Sequence, residues 1–142
     1  MILMADFQFN DYSVEVKNAI AELAEIAVEE CCGELEARVK RNTAVDTGQT
    51  KSSWTHIVRT YQDETVGTVG SPLQNSIWEE FGTGEYALNG NGRKGGWFYE
   101  DEKGKGHFTR GKRPRRPFWK AYTALKNKLI KHMRDIFKEG LS

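Results

Sequence analysis

Val16, Ile20, Leu23, Ala27, Cys31, Leu35 and Val39 are apolar and recur every three or four positions. That spacing draws one stripe down an α-helix and predicts a helix over about 13–41. Ser13 suits its N-cap and Glu15 its first turn, while Arg38, Lys40 and Arg41 suit the negative end of the helix dipole. A second stripe lies near the other end of the chain. Phe118, Tyr122, Leu125, Leu129, Met133 and Ile136 predict a helix over about 117–139, opened by Pro117 and followed by Gly140. Two such stripes need a common core.

Between the helices the pattern changes to alternation. Residues 53–60, with Trp54, Ile57 and Val58, read as a strand. Gln62-Asp63 turns the chain, residues 64–70 return as the second strand of a hairpin, and Pro72 ends it. Asp46-Thr47-Gly48 suits a tight turn ahead of the hairpin, with Gly48 free to take positive φ. Residues 6–10 alternate and read as a short edge strand. Ile77, Trp78 and Phe81 share one face if residues 75–81 are helical; a strand is the rival reading. No internal repeat is visible. The expectation is one α+β domain over residues 1–142, a small antiparallel sheet packed against two long helices.

Residues 82–117 differ from the rest. Nine of the chain's 14 glycines lie there, with nine Lys or Arg against four Asp or Glu, and Leu88 is the one large aliphatic residue. Such a composition builds no core of its own. Gly96-Trp97-Phe98-Tyr99 and Gly106-His107-Phe108-Thr109-Arg110 look like the two sides of a hairpin with a charged, flexible connection. An isolated two-stranded hairpin is marginal in water, so this mobile basic arm is expected to firm up against a partner.

The formal net charge of +1 conceals an opposition. Residues 1–90 carry 15 acidic and 6 basic side chains, a balance of −9; residues 91–142 carry 15 basic and 5 acidic, a balance of +10. The halves can pair within one chain or between copies arranged head to tail, and a basic end also suits nucleic acid. The apolar opening Met1-Ile2-Leu3-Met4 is too short for a signal peptide, and no run approaches the roughly 20 apolar residues of a membrane span. A cytosolic chain with no membrane partner is expected. Cys31 and Cys32 are adjacent; helical neighbours diverge, so they read as small apolar residues with reduced thiols.

Catalysis needs a convergent set of groups, and none is apparent. His56, His107 and His132 fall in a strand, the arm and the last helix, with no metal-ligand neighbour at zinc-site spacing. Gly90-Asn91-Gly92-Arg93-Lys94-Gly95 matches G-x-G-x-x-G, but a dinucleotide fingerprint needs a helix directly after it, and a strand-like run follows. Glu79-Glu80 reads as a solvated face or as interface charge. No catalytic residue, cofactor or metal is assigned. Arg110, Lys112, Arg113, Arg115 and Arg116 interleave with Trp97, Phe98, Tyr99 and Phe108. That mixture suits a protein interface, phosphate neutralisation with base stacking, or a plain solvated loop.

Three short blocks occur in order. Val45-Asp46-Thr47-Gly48-Gln49-Thr50-Lys51-Ser52-Ser53 follows the first helix, and Ile77-Trp78-Glu79-Glu80-Phe81-Gly82-Thr83-Gly84 follows the hairpin. Arg115-Arg116-Pro117-Phe118-Trp119-Lys120-Ala121 opens the last helix. Their order and spacing resemble a family of tail-component proteins of tailed bacteriophages: the small neck, head–tail joining and tail-completion proteins of long-tailed phages and prophages. The resemblance spans roughly residues 13–139. It implies a structural, non-enzymatic subunit of the virion, assembled in the host bacterial cytoplasm as a ring of identical copies. Connector and tail proteins would be its further partners, with at most non-specific contact to DNA in the channel. On that reading Asp46 and Gly48 fix a turn, a buried Phe81 with Gly82 anchors one end of the arm, and Pro117-Phe118 anchors the other. Partner contacts are expected at Trp97, Phe98, Tyr99, Phe108, Arg113, Arg115 and Arg116. A DNA-binding module using the same arm is the alternative.

Overall fold

The computed structural model describes residues 10–44 and 48–142. The edge strand expected over residues 6–10, Asn10 excepted, and the turn residue Asp46 lie outside them. The elements run in order as helices α1 (Ser13–Asn42) and α2 (Gln49–Ser53), strands β1 (Thr55–Tyr61) and β2 (Glu64–Gly70), and helix α3 (Gln74–Phe81). A 3-10 turn (Gly84–Tyr86), strands β3 (Trp97–Glu100) and β4 (Gly106–Thr109), and helix α4 (Pro117–Leu141) complete the chain. The strands pair antiparallel as two separate hairpins, so the fold is α+β with two two-stranded sheets.

The long helix α1 is the element on which α4 and the β1–β2 hairpin pack. Its cap differs from expectation: Tyr12 holds the cap position, and the Ser13 N–H donates to Asp11 Oδ1 (2.9 Å). Asp11 thus supplies the acceptor expected from Ser13. α4 runs antiparallel along one flank. Asn42 Nδ2 donates to the Pro117 carbonyl (3.1 Å), Glu34 pairs with Lys128 (2.9 Å), and Glu30 pairs with His132 (2.7 Å). Part of the opposed charge therefore meets within one chain. Gly140 lies inside α4 rather than beyond it, where an added Cβ would collide with Leu23 of α1.

The β1–β2 hairpin covers another flank of α1. Gly67 lies against Cys32 and Val28, too close for any side chain of its own. Thr60 Oγ1 donates to Glu25 (3.0 Å), Lys17 pairs with Asp63 (3.0 Å), and His56 Nε2 meets Glu29 Oε1 (2.6 Å). Gly48 starts α2 at φ 75°, a left-handed conformation that glycine adopts at no steric cost. Trp54, expected in the strand, ends α2 instead and stacks on Phe118 with ring centroids 6.2 Å apart.

The apolar clusters lie where α1's second half meets α4's first half. One cluster holds Cys31, Leu125 and Leu129; another holds Val39, Trp54 and Ala121; Leu35 packs against both. Burial pushes both cysteine thiols up, so neither is a ready thiolate. The apolar stripe of α1 is not buried throughout. Val16 and Ile20 stay exposed, because α4 reaches its end beside Leu23 and covers nothing upstream.

A hydrogen bond to Glu29, with the charges of Glu29 and Glu36, holds His56 above its ordinary imidazole value despite opposing desolvation. A raised folded-state pKa adds stability that is fully present below the unfolded value of about 6.5 and is lost as pH rises through the folded one. The melting temperature is therefore expected to fall as pH rises above about 6.5. His56→Gln should flatten that profile. Calorimetry across a pH series, wild type against variant, checks it.

Candidate functional site

The first amides of a helix have no intrahelical acceptor, and a Ser, Thr, Asp or Asn at the cap usually supplies one. α4 has none. Its cap residue is Arg116, a pure donor, held in the left-handed region at φ 54°. The acceptor comes from α3 instead. Glu80 Oε2 accepts the Phe118 N–H (2.9 Å) and Oε1 accepts the Trp119 N–H (3.0 Å). Beside it the Glu79 carbonyl accepts the N–H groups of Arg115 (2.8 Å) and Arg116 (3.1 Å), and the Glu79 carboxylate pairs with Lys112. Both glutamates are buried, 4% and 6% exposed. The solvated acidic face expected at Glu79-Glu80 is thus a buried clamp on α4 and the chain that enters it.

The clamp fixes which way α3 faces. With Ser76, Glu79 and Glu80 turned inward, Ile77, Trp78 and Phe81 turn outward and stay roughly half exposed. Phe81, expected to anchor the arm from the core, sits at the surface for this reason. Gly82 then leaves the helix at φ 74°. A Cβ built there would lie 2.9 Å from the carbonyl oxygens of Lys112 and Tyr86, so the exit needs glycine on both counts.

From Gly82 onward the root of the arm is tied across itself. The N–H of Thr83 donates to the Lys112 carbonyl (2.9 Å), that of Glu85 to the Arg110 carbonyl (2.9 Å), and that of Lys112 to Thr83 Oγ1 (2.8 Å). The connection between β3 and β4, expected to be flexible, is a closed turn around Asp101. Its carboxylate accepts the N–H groups of Lys103 and Lys105 (both 2.9 Å) and meets His107 Nε2 (2.9 Å). The His107 contact first, then these amides, hold the Asp101 carboxyl below the usual carboxylate range.

The structure brings the four aromatic residues singled out in the arm onto one hairpin. Phe98 and Phe108 are cross-strand partners with ring centroids 5.0 Å apart, and Phe98 is 82% exposed. Tyr99 pairs with His107 and Trp97 with Thr109, which alternation places on the opposite face. That face borders a cleft with Trp78, Thr83 and Lys112. The arginines are less free. Arg113 lies over Tyr86 (4.7 Å) and Arg116 over Trp119 (4.9 Å), while Arg115 is exposed.

The three histidines do not converge; each meets carboxylates of its own neighbourhood, His56 on α1, His107 in the arm turn and His132 on α1. Among the described residues no three His, Cys, Asp or Glu side chains gather as metal ligands, and no helix is long and apolar enough to cross a membrane. β3, not a helix, follows the loop over residues 90–95. A scan against family models, a search of curated proteins and a search of solved structures return no match for this chain. Sequence reasoning missed Glu79 and Glu80. The signal was Arg116 before Pro117: a helix that opens on an arginine must borrow its cap.

Glu80→Ala orphans two amides and is expected to cost about 1–3 kcal/mol. Glu80→Gln, which keeps the size but loses the charge at the helix N-terminus, is expected to cost about 1–2 kcal/mol. Urea unfolding followed by tryptophan fluorescence measures both; a loss near zero for Glu80→Ala would remove the clamp.

Proposed function

We propose that this chain is a structural subunit that works by self-association, a ring-forming component of the head–tail interface or tail-completion end of a long-tailed phage virion. The observation that carries the self-association is the outward apolar surface around the clamp. α3 turns Ile77, Trp78 and Phe81 to solvent, and the adjoining arm does the same with Phe98, Tyr99 and Phe108. Burying a large apolar side chain is worth about 1.5–3 kcal/mol, and exposed patches of this kind mark association surfaces. The backbone and Glu80 bonds hold these rings in place before any partner arrives, which lowers the ordering cost of association.

The virion setting rests on the three ordered blocks. Two of them turn out to be the halves of one clamp: Glu79 and Glu80 in the second bond Arg115, Arg116, Phe118 and Trp119 in the third. Connector and tail proteins are the further partners on this reading, and no reaction is assigned to the chain.

One observation favours a DNA-binding module instead, namely exposed rings beside basic residues. Against it, four of the five clustered cations already have intramolecular partners. Arg110 meets Glu85 (3.8 Å), Lys112 meets Glu79, and Arg113 and Arg116 lie over Tyr86 and Trp119. Low-salt gel shifts with duplex and single-stranded DNA are expected to show no defined complex. Tight binding that falls steeply with salt would favour the alternative.

Native mass spectrometry at high concentration, alone and with neck partners, is expected to show discrete oligomers; monomers throughout would contradict the proposal. Replacing residues 97–109 by two glycines leaves the clamp intact. That variant is expected to keep its helical circular dichroism and lose assembly, whereas loss of the fold would assign the arm to the core.

A further inference from the structure

Building on the proposed self-association, we infer that the contact is head to tail: the β3–β4 tip of one copy seats in a groove at the start of α1 of the next. The groove lies between the first turns of α1 and the β1–β2 turn. Val16, Ile20, Ala21 and Ala24 line it from the helix, and Thr60 and Thr65 from the hairpin. At about 630 Å³ it has room for the Phe98–Phe108 pair. It exists because α4 ends beside Leu23 and leaves this stretch of the stripe uncovered.

Charge selects the occupant. Beside the groove stand Glu25, which accepts from Thr60, and Asp63 and Glu64 of the hairpin turn, against Lys17, which pairs with Asp63. The arm over residues 93–116 carries nine Lys or Arg against Glu100, Asp101 and Glu102. An apolar floor with a net acidic edge on its hairpin side thus faces an apolar pair on a basic arm, and opposite fields steer and orient such an encounter.

Distance requires a second copy. The bond from Asn42 to Pro117 fixes the root of the arm at the last turn of α1, and the groove flanks the first turns of the same helix. The helix from Asn42 back to the groove residues Ala24, Ile20 and Val16 is about 27, 33 and 39 Å long at 1.5 Å per residue. Phe108 stands nine residues from Pro117, about 30 Å if fully extended, and the bonds of Arg115 and Arg116 to Glu79 and of Thr83 to Lys112 hold that stretch well short of its full length. The arm cannot reach its own groove. A contact between two different patches is heterologous, and repeated copies either close into a ring or run on as a filament.

The test uses two added-cysteine variants, Phe98→Cys and Ile20→Cys, mixed at high concentration with a short bismaleimide. Wild type, with Cys31 and Cys32 buried, is the blank. A cross-linked dimer is expected in the mixture and in neither variant alone. Phe98→Ser and Ile20→Asp are each expected to weaken association by about tenfold, measured by sedimentation. Cross-linking of Phe98→Cys alone would mean arm-to-arm pairing and overturn the inference. Association by native mass spectrometry without a cross-link in the mixture would overturn the groove assignment and leave self-association standing. Monomers throughout would remove both. A cross-link that appears only after residues 2–9 are deleted would give the groove to that segment of the chain, and the inference falls.

Discussion

Glu80 caps α4 from another helix, across 38 residues of sequence, and the orientation of everything around the arm follows from it. A helix that opens on Arg116-Pro117 has amides to satisfy and no acceptor of its own. Supplying one buries a carboxylate, and a buried carboxylate is tolerable where it accepts strong hydrogen bonds and faces a helix N-terminus. Glu79 adds its carbonyl and its pairing with Lys112 on the same side. Once these two residues face inward, the 3.6-residue period leaves Ile77, Trp78 and Phe81 no direction but outward. The apolar surface is a consequence of the polar clamp.

The same logic of incomplete cover applies at the other end. α1 has 30 residues and α4 has 25, and they meet in register from Asn42–Pro117 to Leu23–Gly140. The excess of α1 keeps its apolar stripe beyond the reach of α4. The chain thus carries an apolar surface at each end of its longest element, with basic residues concentrated at one and acidic residues at the other. The compact core around Leu35 holds the two ends at a fixed separation.

What was legible in the sequence is what period and punctuation encode. The stripes located the starts of α1 and α4 and placed their ends within one and two residues, and alternation located β2 and most of β1. α2 was hidden because five residues, Gln49 to Ser53, are too few to show a period, so Trp54 was read as strand. Gly140 looked like a stop because glycine commonly ends helices; here its lack of a side chain serves the contact with Leu23. Within the site, the two strands of the arm could be read from the hairpin pattern; the register that pairs Phe98 with Phe108 comes from the structure. The inward turn of Glu79-Glu80 could not. Local amphipathicity points Ile77, Trp78 and Phe81 toward a core, and only the demand of a distant helix terminus reverses it.

Amide hydrogen exchange of the isolated chain, resolved by residue, tests the clamp most directly. First-turn helix amides ordinarily exchange fast because nothing in the helix accepts them. The amides of Phe118 and Trp119, with those of Arg115 and Thr83, are expected to be protected to a degree approaching Leu125 in the middle of α4. Exchange of all four at unfolded-chain rates, with Leu125 still protected, would contradict the clamp.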